Sequence, residues 1–324
     1  MEQLSIGQKN RASMLKKRLL DYSLILFTII LCIGFSLASP YFLNIKNFMN
    51  ILTSVSVVGI IATGMTLIMI TRGIDLSVGS IIAMTGCVSA IIVMKYHMAW
   101  YVAIPATLLI GVIVGSLNGI IITKFKVVPF IATLGTLNIF KGLAFILTNG
   151  QAIYVSDKVI SYMGTGKIAG IIPFPGLLML ALFVAFWWIS KKTVFGRQIY
   201  AVGGNPTASR LAGINTQKVL FKVYLITGVL SAIAGLVMTG LTSTAMPSAG
   251  DGYNLDVITT VYLGGNSAGG GEGSVWRTLL GVVIIGILNN GMALLSVPSY
   301  WQTFFKGCLL IVAVIMDMMR RKQA

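Results

Sequence analysis

The chain is poor in charge, poorest in acid, and almost without histidine. Only 10% of its 324 residues are charged, with 8 Asp+Glu against 24 Lys+Arg. An average soluble domain carries about 25% charged residues, so this chain has too little charge to cover a water-facing surface. Its single histidine, His97, offers no metal set and leaves no Ser/His/Asp, Cys/His or HExxH arrangement for enzyme chemistry. The three cysteines, Cys32, Cys87 and Cys308, lie inside apolar runs without CxxC spacing. They read as small core residues rather than a disulfide framework or metal site. Low-complexity tracts and long polar linkers are also missing, so residues 1–324 read as one membrane domain. What is abundant is apolar: 56% of the residues.

A spanning helix needs about 20 mostly apolar residues. Ten candidates appear: Tyr22–Ala38, Phe48–Ile70, Leu76–Met94, Trp100–Thr123, Val128–Leu147, Gly176–Ser190, Val219–Leu241, Leu255–Gly264, Val275–Leu295 and Tyr300–Met318. The expected fold is therefore an all-α membrane protein of about ten transmembrane helices. The eighth candidate is too short to cross alone and needs protein around it or a break. The first also has the look of a signal peptide, with basic residues before it and Ser36-Leu37-Ala38 at its end. Its length and the spans that follow favour an uncleaved helix.

The net charge of +16 invites a nucleic-acid reading. The basic residues, however, sit in clusters between apolar runs, which is the positive-inside pattern. The partner it implies is lipid, not nucleic acid. With the N-terminus inside, 18 of the 24 Lys and Arg fall on the inner side, and only Lys46, Lys95, Lys141, Lys158, Lys167 and Lys306 fall outside. Both termini are then cytoplasmic, with 1–21 an inner N-terminal segment. The loop Asn149–Pro175 caps the outer face, and the basic loop 191–218 lies inside.

Two short matches suggest an internal repeat. Gly73-Ile74-Asp75-Leu76-Ser77-Val78 resembles Gly252-Tyr253-Asn254-Leu255-Asp256-Val257, and Gly115–Asn118 resembles Gly286–Asn289. Five spans separate the copies, so the two copies run in opposite directions. That is the arithmetic of an inverted-topology repeat, which places a transport path near the pseudo-symmetry axis. Chance matching of abundant Gly, Leu and Val is the competing explanation.

Four segments stand out. In Gly73–Ser80, Asp75 sits where it can accept hydrogen bonds from free N–H groups at a helix start. It is a helix cap at the cytoplasmic edge, or a fixed element beside a pathway, because a carboxylate near a span is costly. In Gly203–Asn215, Asn205 suits an N-cap, Pro206 the first helical position and Gly213 a left-handed stop. The result is a helix of about two turns whose Ala208, Leu211 and Ala212 share a face. It either plugs a groove on another protein or docks on nothing. Gly264–Ser274 is glycine-rich but has no GK[ST] ending, so it reads as an inner turn rather than a phosphate loop. Glu272 in that turn is placed to pair with Arg277 or with a partner. Asn118, Asn138, Asn289 and Asn290, with Thr133 and Thr136 nearby, are amides and hydroxyls within apolar spans. They serve inter-helix hydrogen bonds or a hydrated substrate path.

At these residues a family becomes recognisable. Gly73–Ser80 (GIDLSVGS) resembles the signature of the ribose-type sugar permeases of ATP-binding-cassette importers, within the binding-protein-dependent inner-membrane components. So do Gly196–Asn205 running through Ala212-Gly213-Ile214, the segment from Leu263 to Gly281, and Asn289-Asn290-Gly291. The likeness runs from about Pro40 to Asp317. It implies a homodimer of permease subunits in the bacterial inner membrane, a cytoplasmic ATPase and an extracytoplasmic sugar-binding protein. ATP and Mg²⁺ then belong to the ATPase, and this chain binds no cofactor of its own and is not an enzyme. The family's ATPase-coupling segment falls on Gly203, Gly204, Asn205, Pro206, Ala208, Arg210, Leu211, Ala212 and Gly213. Its motif residues are Gly73, Asp75, Ser77 and Gly79. A ribose-like monosaccharide is the expected cargo. Alternatives are a nucleoside, amino acid or furanose signal carried by the same family, or a secondary transporter.

Overall fold

The computed structural model describes residues 24–321. The expected inner segment 1–21, with Lys9, Arg11, Lys16, Lys17 and Arg18, and the C-terminal Lys322 lie outside the described residues. The described residues are helical almost throughout. It runs α1 (Leu24–Ala38), α2 (Ile45–Ser54), α3 (Ser56–Ile70), α4 (Val78–Ala90, extended by a π-helical turn Ile91–Lys95), α5 (Trp100–Thr123) and α6 (Pro129–Thr148). It continues with α7 (Lys158–Thr165), α8 (Phe174–Lys192), α9 (Val194–Gly204), α10 (Pro206–Leu211) and α11 (Thr216–Thr242). It ends with α12 (Tyr253–Leu263), α13 (Val275–Leu294) and α14 (Ser299–Arg321). Among the described residues four two-residue strands form two antiparallel pairs: β1 (Ile153–Tyr154) with β4 (Thr244–Ala245), and β2 (Lys167–Ile168) with β3 (Ile172–Pro173).

All ten apolar segments are helical over most of their described residues (Tyr22 and Ser23 of the first lie outside them), but they are not all simple spans. Among the described residues seven helices are long and apolar enough to cross a membrane, or eight if α2 and α3, bent by 48° at Val55, count as one. The 11-residue α12 falls short, as its sequence implied. The starts and stops follow local chemistry. Asn44 Oδ1 accepts from Lys46 N–H before α2, Pro129 opens α6 and Asn149 closes it with φ +50°, and Asp157 Oδ1 accepts from Val159 and Ile160 N–H before α7.

The 27-residue α11 is the central post, packed against α5, α3, α4 and α7. It crosses α5 so closely that a Cβ on Gly228 would overlap the Gly111 carbonyl. Small residues allow this approach, which is how helices associate where lipid removes the usual hydrophobic drive. Buried hydroxyls within the bundle are satisfied locally: Thr63, Thr66, Thr107 and Thr227 each donate to the carbonyl four residues back. The outer faces of α5, α6, α8 and α14 carry exposed Leu109, Ile113, Leu134, Ile139, Val184, Trp188, Ile311 and Ile315. That surface suits lipid, not water.

The two ends of the bundle differ in charge. Gln217 donates to the Thr123 carbonyl, Gly271 N–H to Ile70 O, and Arg72 to Gly203 and Gly204 carbonyls. These bonds gather the segments bearing Arg72, Lys124, Lys126, 191–218 and Arg277 at one end, here called the basic end. At the opposite end β1 pairs with β4, and Asn47 with Asn290.

Candidate functional site

Two breaks in the helical bundle face each other. The first joins α3 to α4. It leaves the basic end at Arg72, which takes a left-handed φ of +65°, and turns back into the protein. Asp75 is fully buried. Its Oδ1 accepts from the Ser77 N–H at 2.8 Å and from Ser77 Oγ at 2.6 Å. Ser77 Oγ in turn accepts from Asn118 Nδ2 at 2.9 Å, and Asn118 Oδ1 accepts from Thr136 Oγ1 at 2.7 Å. Thr133 Oγ1 accepts from Leu76 N–H. A four-residue chain of hydrogen bonds thus ties the break to α5 and α6. Asp75 caps Ser77, as its position near a helix start implied, but deep in the protein rather than at its rim.

The second break joins α11 to α12 through β4 and residues 246–252, with Gly252 at φ +86°. The segments of the sequence repeat thus lie at the starts of α4 and α12. Those helices run oppositely: α4 leads away from Arg72 toward β1, and α12 leads from β4 back to Gly264 at the basic end. The two breaks touch where Gly79 meets Gly250, and a Cβ on either would overlap the carbonyl oxygen of the other. Beside this contact lies a cavity of about 230 Å³ lined by Ser80 and Ala83 of α4, Leu137 and Lys141 of α6, and Pro247, Asp251 and Asn254. Lys141 Nζ meets Asp251 Oδ1 there at 2.6 Å. A second pair, Lys306 Nζ to Asp256 Oδ2 at 2.8 Å, ties α14 to α12.

A hydrogen-bonded ring closes the basic end. Arg72 grips the last carbonyls of α9, Gly271 donates to Ile70, and Tyr200 OH donates to Gly273 O at 3.1 Å. Burial raises the Tyr200 phenol above its ordinary range, which keeps it a neutral donor at physiological pH. Asn266 pins the glycine-rich turn through Ser274 N–H, Val261 O and Thr278 Oγ1. Glu272 is exposed and forms no ion pair with Arg277. Outside the ring stands α10. Asn205 Oδ1 accepts from Ala208 N–H, Pro206 is the first helical residue, and Gly213 has φ +82°. Pro206, Ala208, Arg210, Leu211 and Ala212 are exposed, Leu211 at 86%.

The four amides picked from the sequence do not converge. Asn118 is buried in the Ser77–Thr136 chain. Asn138 is exposed on α6 and donates to its own helix at Leu134 O. Asn290 exchanges two bonds with Asn47, and the neighbouring Asn289 has a buried Oδ1 without a hydrogen-bond partner. Lys141 and Asp251 were missed as a pair. Lys141 counted as an outer-side cation, yet it lies two-thirds of the way along α6, inside a candidate span. A lone lysine within an apolar run was the available signal; its partner, 110 residues away, was not.

The Asn118 chain leads to a stability prediction. Asn118→Leu removes two buried hydrogen bonds, the one to Ser77 Oγ and the one from Thr136 Oγ1, and should cost about 1–3 kcal/mol. Thr136→Val should cost less, because Asn118 keeps its bond to Ser77. Denaturation of the detergent-purified variants measures both; equal losses would contradict the assigned chain.

Comparison with known proteins places this arrangement. The family model described as "Branched-chain amino acid transport system / permease component" matches residues 47–314, from α2 into α14. The chain is 43% identical to the ribose import permease protein RbsC of Haemophilus influenzae, covering 89% of this chain and 90% of that one. It is 40% identical to RbsC of Escherichia coli strain K12, covering 93% and 95%, and 41% identical to RbsC of Bacillus subtilis, covering 91% of each. No solved structure gives a significant match. A multi-pass helical body matched over most of its length, with relatives aligned nearly end to end, leaves one assignment: the chain belongs to the branched-chain amino acid transport system / permease component family, as a ribose-type permease of the ATP-binding-cassette importers.

Proposed function

We propose that this chain carries ribose across the bacterial inner membrane, as one of two identical permease subunits driven by a separate cytoplasmic ATPase. The observation that carries this reading is the 40–43% identity to proteins named ribose import permeases over about nine-tenths of the chain. The basic end faces the cytoplasm in this reading, with both termini there, because cytoplasmic loops collect Lys and Arg. The binding protein delivers the sugar to the opposite end, and ATP and Mg²⁺ stay on the ATPase.

Transport is then alternating access. ATP and the loaded binding protein must each favour the same permease state, since a ligand shifts an equilibrium only by its differential affinity. Movement of the ATPase enters at α10, whose exposed Ala208, Leu211 and Ala212 offer an apolar face. It passes through the ring of Gly203, Gly204 and Arg72 to the Gly73–Gly79 break. Supporting this route, Arg72 sits directly between the α9 carbonyls and Gly73. Affinity for the sugar can reside mainly in the binding protein.

The family model's wording raises an amino acid as the rival cargo. Cells lacking their own ribose importer should regain uptake of labelled ribose when given this chain with its ATPase and binding protein. Arsenate, which drains ATP, should stop that uptake, and a protonophore that spares ATP should not. Excess leucine should not compete. Uptake of leucine without ribose would reverse the substrate assignment, and uptake lost to the protonophore with ATP intact would favour a secondary transporter.

A further inference from the structure

We propose that Lys141 and Asp251 form a polyol-binding subsite inside the membrane, where sugar hydroxyls contact the ammonium and carboxylate during passage. The proposal rests on the ribose-import reading and deepens it. Ionised groups at membrane depth are expensive and by default functional. The contrast between the two ion pairs shows which one has capacity to spare. Lys306–Asp256 is largely sealed, with side chains 23% and 22% exposed, as suits a staple between α14 and α12. Lys141–Asp251 is open, at 36% and 55%, and borders the cavity. One Lys141 N–H is spent on Asp251 Oδ1, which leaves donors on the ammonium and lone pairs on the carboxylate.

The surroundings fit a neutral, hydroxyl-dense solute. A carboxylate can accept from two adjacent hydroxyls at once, while an ammonium donates to a ring or hydroxyl oxygen. Asn254 adds an amide, and Ser80 Oγ, whose proton goes to Ser77 O, adds an acceptor. Ala83, Leu137 and Pro247 supply apolar surface for the C–H face of a sugar ring. The cavity of about 230 Å³ far exceeds the roughly 10–15 Å³ that admits one water. One cation beside one anion gives no net charge, so a phosphorylated sugar would bring uncompensated charge into the membrane. The Gly79–Gly250 contact forms the cavity's edge, so separating the two breaks would widen it.

The test uses the complete complex of permease, ATPase and ribose-binding protein in proteoliposomes. Asp251→Asn and Lys141→Met should each lower labelled ribose uptake at least tenfold. The swapped double variant, Lys141→Asp with Asp251→Lys, separates a subsite from a staple. It should recover thermal stability by restoring the pair, yet stay at least tenfold slow, because acceptor and donor have exchanged places. Recovery of uptake along with stability in the swap would overturn the proposal, as would near-normal uptake in both single variants. Wild-type complex that moves leucine but no ribose would instead overturn the underlying cargo reading, and this inference with it.

Discussion

Leu211→Asp should cut ATP-driven ribose uptake severely while leaving normal amounts of folded permease in the membrane. Leu211 is the most exposed large apolar residue among the described residues, at 86%, and its side chain supports nothing beneath it. A surface change of this kind usually alters stability by less than about 0.5 kcal/mol. An unpaired carboxylate pushed into an apolar docking groove costs several kcal/mol, and each ~1.4 kcal/mol is tenfold in affinity. Uptake should therefore fall by about tenfold or more, and the ATPase should no longer co-purify with the permease. Wild-type uptake in this variant would show that α10 does not dock on the ATPase.

Gly203→Val should fail differently, losing stability and uptake together. A Cβ on Gly203 would overlap the Ile70 carbonyl oxygen and sit 2.6 Å from Gly271 N. Both obstacles are backbone, so neither can swing aside as a side-chain end could. Relief requires α9 to move off α3, which breaks the Arg72 grip, or the added carbon to wedge apart Ile70 and Gly271 and break their bond. Overpacking of this kind costs about 1–3 kcal/mol, and the lost hydrogen bonds add a comparable amount. Thermal unfolding in detergent should register the loss even without the ATPase, whereas Leu211→Asp should unfold like wild type. A Gly203→Val protein of normal stability would mean that the ring at the basic end is not a rigid link.

The contrast between these two residues reflects what a sequence can carry. Local patterns were readable: α5 has the boundaries of its apolar run, and Asn205, Pro206 and Gly213 mark α10 through the geometry of single turns. The shortness of α12 was readable too, because eleven residues cannot span a bilayer. Non-local facts were not. Asp75 looks like a rim cap because apolar runs flank it; its depth depends on α5 and α6 closing over the break with Asn118, Thr133 and Thr136. The amides looked alike in sequence, yet one locks the α3–α4 break, one pairs across α2 and α13, and one faces outward. Lys141 found its meaning only when the fold carried Asp251 to it. The repeat at Gly73 and Gly252 indicated that two segments correspond, and only the structure brings Gly79 against Gly250.

The route from ATPase to pathway has one geometric requirement, that α10 lie on the cytoplasmic side. A cysteine at position 211, in a chain whose exposed Cys308 is replaced by serine, can be challenged with a membrane-impermeant maleimide. The thiol should react in inside-out vesicles stripped of the ATPase, be shielded when the ATPase is added back, and stay unlabelled in intact spheroplasts. Labelling from outside the spheroplast would place this helix across the membrane from any source of ATP, and the coupling scheme built on it would be wrong.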